Sequence, residues 1–185
     1  MTRLVAFLRA VNVGGHVVRM EELRALFEAL AFTDVATFIA SGNVVFQSRA
    51  TDERAIEARI ERHLRKALGW DVATFVRTPS CLADIARREP FPHASATDDS
   101  SRSFVAFTRQ PLAASIRRSV EALSTSQDEL HVDGREIYWF CRTSARESTV
   151  SGAVLEKAVG GPVTVRNVNT VRRLVGKLGL AAGSS

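Results

Sequence analysis

The chain has 185 residues, is 45% hydrophobic, and carries 25 basic against 20 acidic side chains for a net charge of +5. That is enough apolar material for one domain or two small packed lobes, while no apolar run reaches the ~18 residues of a membrane-spanning helix. Cys81 and Cys141 are too few for a disulfide framework and lack zinc-ligand spacing, so a reduced, cytoplasmic setting is expected, with both thiols as small apolar filler.

Arg3–Arg9 reads as a strand, and its apolar stretch is too short for a signal-peptide core. Met20, Leu23, Leu26, Phe27 and Leu30 recur at helical spacing and predict an amphipathic helix over 20–31. Val35–Ala40 and Asn43–Gln47 are strands meeting at Ser41-Gly42, where glycine supplies the positive φ of a hairpin turn. Ile56, Ile60, Leu64 and Leu68 mark a second helix, with Thr51 as N-cap and Gly69 as stop. Trp70–Arg77 is the fourth strand, giving the order βαββαβ, and a short helix near Ser80–Arg88 follows.

Residues 89–101 (EPFPHASATDDSS) have no periodicity and read as a connecting loop, in which Pro90-Phe91-Pro92-His93 is either a partly buried anchor or a binding edge. The same element order then recurs. Arg102–Arg109 is a strand; Leu112, Ile116, Val120 and Leu123 form a helical stripe; Glu129–Val132 and Glu136–Cys141 flank the hairpin dipeptide Asp133-Gly134. Val154, Leu155, Ala158 and Val159 suit a helix ended by Gly160-Gly161-Pro162, Val163–Arg166 is a short strand, and Val171, Leu174, Val175 and Leu178 form a closing helix. Val5-Ala6-Phe7-Leu8-Arg9 is echoed by Val105-Ala106-Phe107-Thr108-Arg109. The expected fold is therefore α+β: a tandem duplication of ferredoxin-like βαββαβ units with antiparallel sheets, over 1–88 and 102–185, plus a C-terminal helix.

Leu8 to Gly15, Thr37 to Asn43, Pro90-Phe91-Pro92 and Thr164 to Thr170 together resemble the bacterial family known as domain of unknown function 1697. The resemblance runs nearly end to end and implies the same duplicated ferredoxin-like fold, without an activity to carry over. This chain departs from the family pattern at Ala10, where glycine is typical, at Phe38, where tyrosine is, and at Val168, where an aromatic is. With Phe38 there is no phenol at that position to act as an acid.

Three polar clusters fall where strands end: Asn12-Val13-Gly14-Gly15, Ser41-Gly42-Asn43 and Thr164 to Thr170. In a βαββαβ unit the first two share one sheet edge. They form either a small polar pocket or a pair of loops that only stabilise each other. Glu21 and Glu22 in the following helix oppose a phosphate there, and no P-loop spacing occurs. In the third cluster, Asn167 or Asn169 caps the last helix beside Arg166, a combination that either attracts an anion or is purely structural.

The residues expected to bind a ligand are Arg9, Asn12, Gly14, Gly15, Ser41, Asn43, Arg166, Asn167 and Asn169. The ligand class expected is small and anionic or nucleotide-like; the cofactor, the oligomeric state and any catalytic acid or base are left open. A second reading uses nucleic acid: residues 102–185 hold 12 basic against 7 acidic side chains, and Thr164–Lys177 has four basic residues and no acid. Against it, Phe104 and Phe107 lack the pattern of an RNA-stacking strand. A third reading is a protein-interaction scaffold in which the motifs serve the fold. Among the remaining candidates, Ser148 and Ser151 are expected as helix caps, Lys157 is solvated, and His16, His63, His93 and His131 are scattered without metal spacing.

Overall fold

The computed structural model describes residues 1–39, 42–92, 102–143 and 145–179. Eight strands and six helices occur among them, and the chain divides into two compact units, Met1–Leu82 and Ala83–Ser185. The protein is α+β, with one four-stranded antiparallel sheet in each unit.

The first unit runs β1 (Thr2–Leu8), α1 (Met20–Glu28), β2 (Thr33–Phe38), β3 (Asn43–Ser48), α2 (Glu53–Leu68) and β4 (Thr74–Arg77), with sheet order β2-β3-β1-β4. Period-two alternation turns Leu4, Ala6 and Leu8 to one face of β1. There they join Val44, Phe46 and Val76 against Leu23 and Phe27 of α1 and Ile56, Ile60 and Leu64 of α2. Burying each such side chain contributes roughly 1.5–3 kcal/mol relative to exposure.

Several expected boundaries move. Helix α1 stops at Glu28 rather than 31, because the amides of Leu30 and Ala31 bond three residues back and Ala31 is left-handed at φ 55°. Asp52, not Thr51, caps α2, its Oδ1 accepting from the amides of Arg54 and Ala55. Gly69 closes that helix as expected, at φ 86° with its N–H on the Arg65 carbonyl. Strand β4 begins at Thr74 rather than Trp70. The Ser41 half of the expected hairpin turn lies outside the described residues, while Gly42 has φ 75°.

Helix α3 (Pro79–Arg87) crosses the division between the units. The second unit continues with β5 (Ser103–Phe107), α4 (Ala114–Glu121), β6 (Asp128–Asp133), β7 (Glu136–Cys141), α5 (Gly152–Val159), β8 (Thr164–Asn167) and α6 (Val168–Lys177). Its sheet order, β6-β7-β5-β8, repeats that of the first. Ala106, Leu130, Val132, Ile137 and Trp139 pack against Val120 of α4 and Leu155 of α5. Asp133 pairs with Glu136 across a two-residue turn in which Gly134 has φ 60°. Most of the expected connecting loop lies outside the described residues; at its start, Phe91 rests against Phe140 with ring centroids 6.1 Å apart.

An open sheet leaves outward-facing amides on its edge strands. Thr74 and Val76 of β4 direct theirs away from β1, and both are taken by α2: Glu61 Oε1 accepts from Thr74 and Glu57 Oε1 from Val76, each at 2.8 Å. Four helical residues rise roughly 6 Å and two strand residues roughly 6.7 Å, so carboxylates at i and i+4 match amides at i and i+2. On β6 the amides of Asp128, Leu130 and Val132 are accepted by Thr125 Oγ1, Ser124 Oγ and Glu121 Oε1. At the start of β8, Glu156 Oε1 accepts from Val163.

Glu57→Ala leaves the buried Val76 amide without its acceptor, and is expected to lower unfolding stability by about 1–3 kcal/mol in urea titration. An unchanged midpoint would mean that water replaces the carboxylate at no cost. Glu121 gives a pH-dependent counterpart. The Val132 N–H, helped by Arg117 and opposed by burial, holds its carboxyl below the ordinary 4.5. Its stabilising contribution is therefore fully present above 4.5 and is lost as pH falls through the lower folded value. Melting curves of Glu121→Gln should show a shallower loss of stability on acidification than wild type.

Candidate functional site

One end of the first sheet is built from two loops that the strand order brings together. The Leu8 amide donates to the Gly42 carbonyl at 2.8 Å, and the Arg9 amide donates to Ala73 at 2.8 Å, so β1 remains held on both sides as it ends. Gly42 is pressed against this exit. A Cβ added to it would lie 3.2 Å from Leu8 Cβ and from the Leu8 carbonyl oxygen, in a backbone conformation that already favours glycine.

Beyond Leu8 the chain forms a small pinned loop. Gly14 and Gly15 have φ of 59° and 87°, and the His16 amide closes the turn on the Val13 carbonyl at 3.1 Å. Two consecutive left-handed residues are the signature of a type I′ turn, so the glycines are required by the turn itself. Asn12 Oδ1 accepts from the Val18 amide at 2.9 Å and ties the loop across its base. Asn43 is fully buried, and its Nδ2 donates to the Phe38 carbonyl at 3.0 Å across the mouth of the β2–β3 hairpin. Both amide side chains thus bond to backbone. The Arg9 side chain is exposed, as are Gly14 and Gly15, and nothing lies within 4 Å of the point where a Cβ on either glycine would sit. Ser41 lies outside the described residues.

The rim carries strain that its sequence does not advertise. Ala10, Asn12 and Ile39 adopt φ of 61°, 59° and 50°; for the β-branched Ile39 this is a marked outlier. Strain of this kind costs of order 1–3 kcal/mol per residue and is retained where surrounding contacts impose it. Val13, Val17 and Ile39 are 57%, 75% and 41% exposed. The His16 ring stacks on Trp70 at 4.5 Å between centroids, and the buried Trp70 Nε1 has no acceptor among the described residues. Trp70 was expected only as the start of a strand. Its capture by His16, 54 positions away in the sequence, had no local signal.

The third cluster belongs to the second unit. Asn167 caps α6, its Oδ1 accepting from the Asn169 amide at 2.9 Å, and Asn169 lies in the first turn. Arg166 folds back along its own strand: Nη1 donates to Thr164 Oγ1 at 2.8 Å and to the Val165 carbonyl at 2.9 Å. Burial pushes its guanidinium down to about 10, which leaves it charged at neutral pH. Register places it opposite Val105, where the first sheet has Arg77 opposite Val5. Arg77 is fully buried and makes the equivalent bond, to the Val76 carbonyl at 2.9 Å.

The remaining serine, aspartate, aromatic and lysine candidates lie elsewhere. Ser151 caps α5, but Ser148 does not cap a helix; it donates to Asp128 Oδ1 at 2.7 Å. Asp128 is fully buried, also receives the Trp139 indole N–H at 2.8 Å, and has no partner for Oδ2 among the described residues. Phe104 stacks on Trp139 at 4.7 Å on the helix-covered side, so that ring is not offered to a nucleobase. Lys157 is exposed. No group of three His, Cys, Asp or Glu residues is placed to hold a metal among the described residues, and no helix among them is long and apolar enough to cross a membrane.

Residues 1–138 match the family described as "Protein of unknown function (DUF1697)"; the match ends before the Thr164–Thr170 motif. Among solved structures, the conserved bacterial protein SP0830 from Streptococcus pneumoniae is similar over 97% of this chain and 99% of its own, at 22% identity and a TM-score of 0.75. At that identity the likeness speaks for the fold alone. None of the curated proteins matches the chain.

Asn12→Ala is expected to lower stability by about 1 kcal/mol, through loss of the Val18 acceptor, and to speed hydrogen exchange of the Val18 amide. If Val18 keeps its protection in the variant, another contact pins the loop.

Proposed function

The chain belongs to DUF1697, a family of proteins of unknown function, and on the geometry of its own rim we propose that it binds a small anionic or nucleotide-like ligand at the end of the first sheet. The observation that carries this reading is the concentration of left-handed non-glycine residues, Ala10, Asn12 and Ile39, in two loops held side by side. Three of the five left-handed non-glycine residues among the described residues fall in this rim, and backbone of this kind clusters at functional sites. Asn12 and Asn43 act as supports whose bonds shape the loops. The ligand rests on the open sides of Gly14 and Gly15, beside the His16–Trp70 stack, with Arg9 supplying positive charge.

We further propose that each unit is ferredoxin-like and that the two arose by internal duplication. The repeated strand order and the matching positions of Arg77 and Arg166 support this. Arg166, Asn167 and Asn169 form a second anion-favouring end, at the start of α6. A cytoplasmic location is consistent with Cys81 and Cys141 as free thiols.

The test is a thermal-shift panel on the full chain with inorganic phosphate, nucleoside monophosphates, nucleoside diphosphates, phosphosugars and a short RNA. A ligand at 100 times its Kd adds about 2.7 kcal/mol of stability, so a binder is expected to raise Tm measurably. Arg9→Ala, which leaves the glycine turn untouched, should abolish the shift. A panel in which nothing shifts Tm at millimolar concentration refutes the reading, and a shift produced by RNA alone transfers it to nucleic acid.

A further inference from the structure

Two open sheets have four edge strands, β2 and β4 in the first unit and β6 and β8 in the second. Side chains close the outward amides of β4 and β6, as described above. On β8, Glu156 takes Val163, and the chain turns into α6 immediately after Asn167, so only the Val165 amide faces outward between them.

Strand β2 is treated differently. Because Leu8 bonds Gly42, Gly42 and residues 44 and 46 of β3 turn their backbone groups toward β1, and 43 and 45 turn theirs toward β2. Phe38 pairs with Asn43 and Ala36 with Val45, so Ala36 and Phe38 point into the sheet while Val35 and Thr37 point out. No side chain among the described residues accepts from the amide of Val35 or Thr37. Residues 35–39, Val-Ala-Thr-Phe-Ile, contain no charge and no proline. Two left-handed residues bracket the regular strand, Asp34 at φ 48° in the irregularity between Thr33 and Ala36 and Ile39 at φ 50° just past its end at Phe38, so the extended outward row runs over 35–38.

We propose that β2 is a strand-addition edge on which a second copy of this chain docks, β2 against β2, antiparallel. An incoming strand must bring its own open row of donors and acceptors. This chain presents such a row at β2, whereas its β4 and β6 are closed by Glu, Ser and Thr side chains. An antiparallel pair centred on Thr37 sets this uncharged segment against itself and keeps the two Asp34 carboxylates at opposite ends, so no like charges meet. The short paired segment makes the association reversible and concentration-dependent. The proposal does not rest on ligand binding at the rim.

Sedimentation equilibrium of the full chain, from low micromolar to near-millimolar protein, provides the test, alongside Thr37→Lys and Thr37→Pro. Thr37 donates outward, so proline there removes no bond of its own sheet, and lysine is a common edge blocker. Wild type should approach twice the monomer mass, with the Val35 and Thr37 amides gaining hydrogen-exchange protection as concentration rises. Both variants should weaken association by about tenfold or more. If Thr37→Pro fails to fold, Thr37→Lys decides. A wild type that stays monomeric throughout overturns the proposal, as does a dimer that Thr37→Lys leaves intact.

Discussion

An antiparallel sheet that does not close on itself must satisfy the backbone groups along its edges, and here the helices answer that demand with carboxylates. Glu57 and Glu61 sit one turn apart on α2 and reach the Val76 and Thr74 amides of β4. To do so, α2 must lie along β4 with a set rotation about its axis. That rotation turns Ile56, Ile60 and Leu64 inward against the sheet. The polar and apolar faces of the helix are thus fixed by one geometric match. The same constraint recurs on β6, where Glu121 joins Ser124 and Thr125 from the turn that follows α4.

The two units obey the same plan with different completeness. Glu156 reaches the amide of Val163 as Glu61 reaches that of Thr74, but one turn earlier, where α2 has Glu57, α5 has Gly152. A Cβ at Gly152 would lie 3.9 Å from the Val165 side chain, an ordinary contact, so space does not demand the glycine. The arginines are more faithful to the repeat. Arg77 and Arg166 occupy equivalent register positions, and each donates to the carbonyl of the valine before it. Holding a guanidinium against burial costs solvation, which is why that of Arg166 is depressed.

At the rim, structural duty and openness coincide in the same residues. The type I′ turn demands Gly14 and Gly15, and for that reason their outer sides are bare. Asn12 and Asn43 spend bonds on backbone, which holds the loops in shape while leaving Val13, Val17 and the His16–Trp70 stack at the surface. The loops meet because Gly42 lacks a Cβ that would press on Leu8.

Much of this was legible from local pattern. Apolar spacing marked α1, α2 and α4 to α6, the Gly69 and Gly160 stops were readable as left-handed caps, and parallel placement of the first two strands predicted that the Asn12 and Gly42 loops would be neighbours. These depend on forces acting within a turn of helix or a pair of strands. The missed features are different in kind. Asp52, one residue beyond Thr51, caps α2. Trp70 left the strand for His16, Ser148 left its helix for Asp128, and Glu57 and Glu61, which no local pattern singled out, accept from the edge amides of β4. Each of those roles belongs to a pair of groups distant in sequence. The chain by itself determined which segments would be helix or strand and in what order, because backbone propensity and hydrophobic period are local. Only the tertiary structure decided which polar groups became partners, because a hydrogen bond is selected by distance and direction in space.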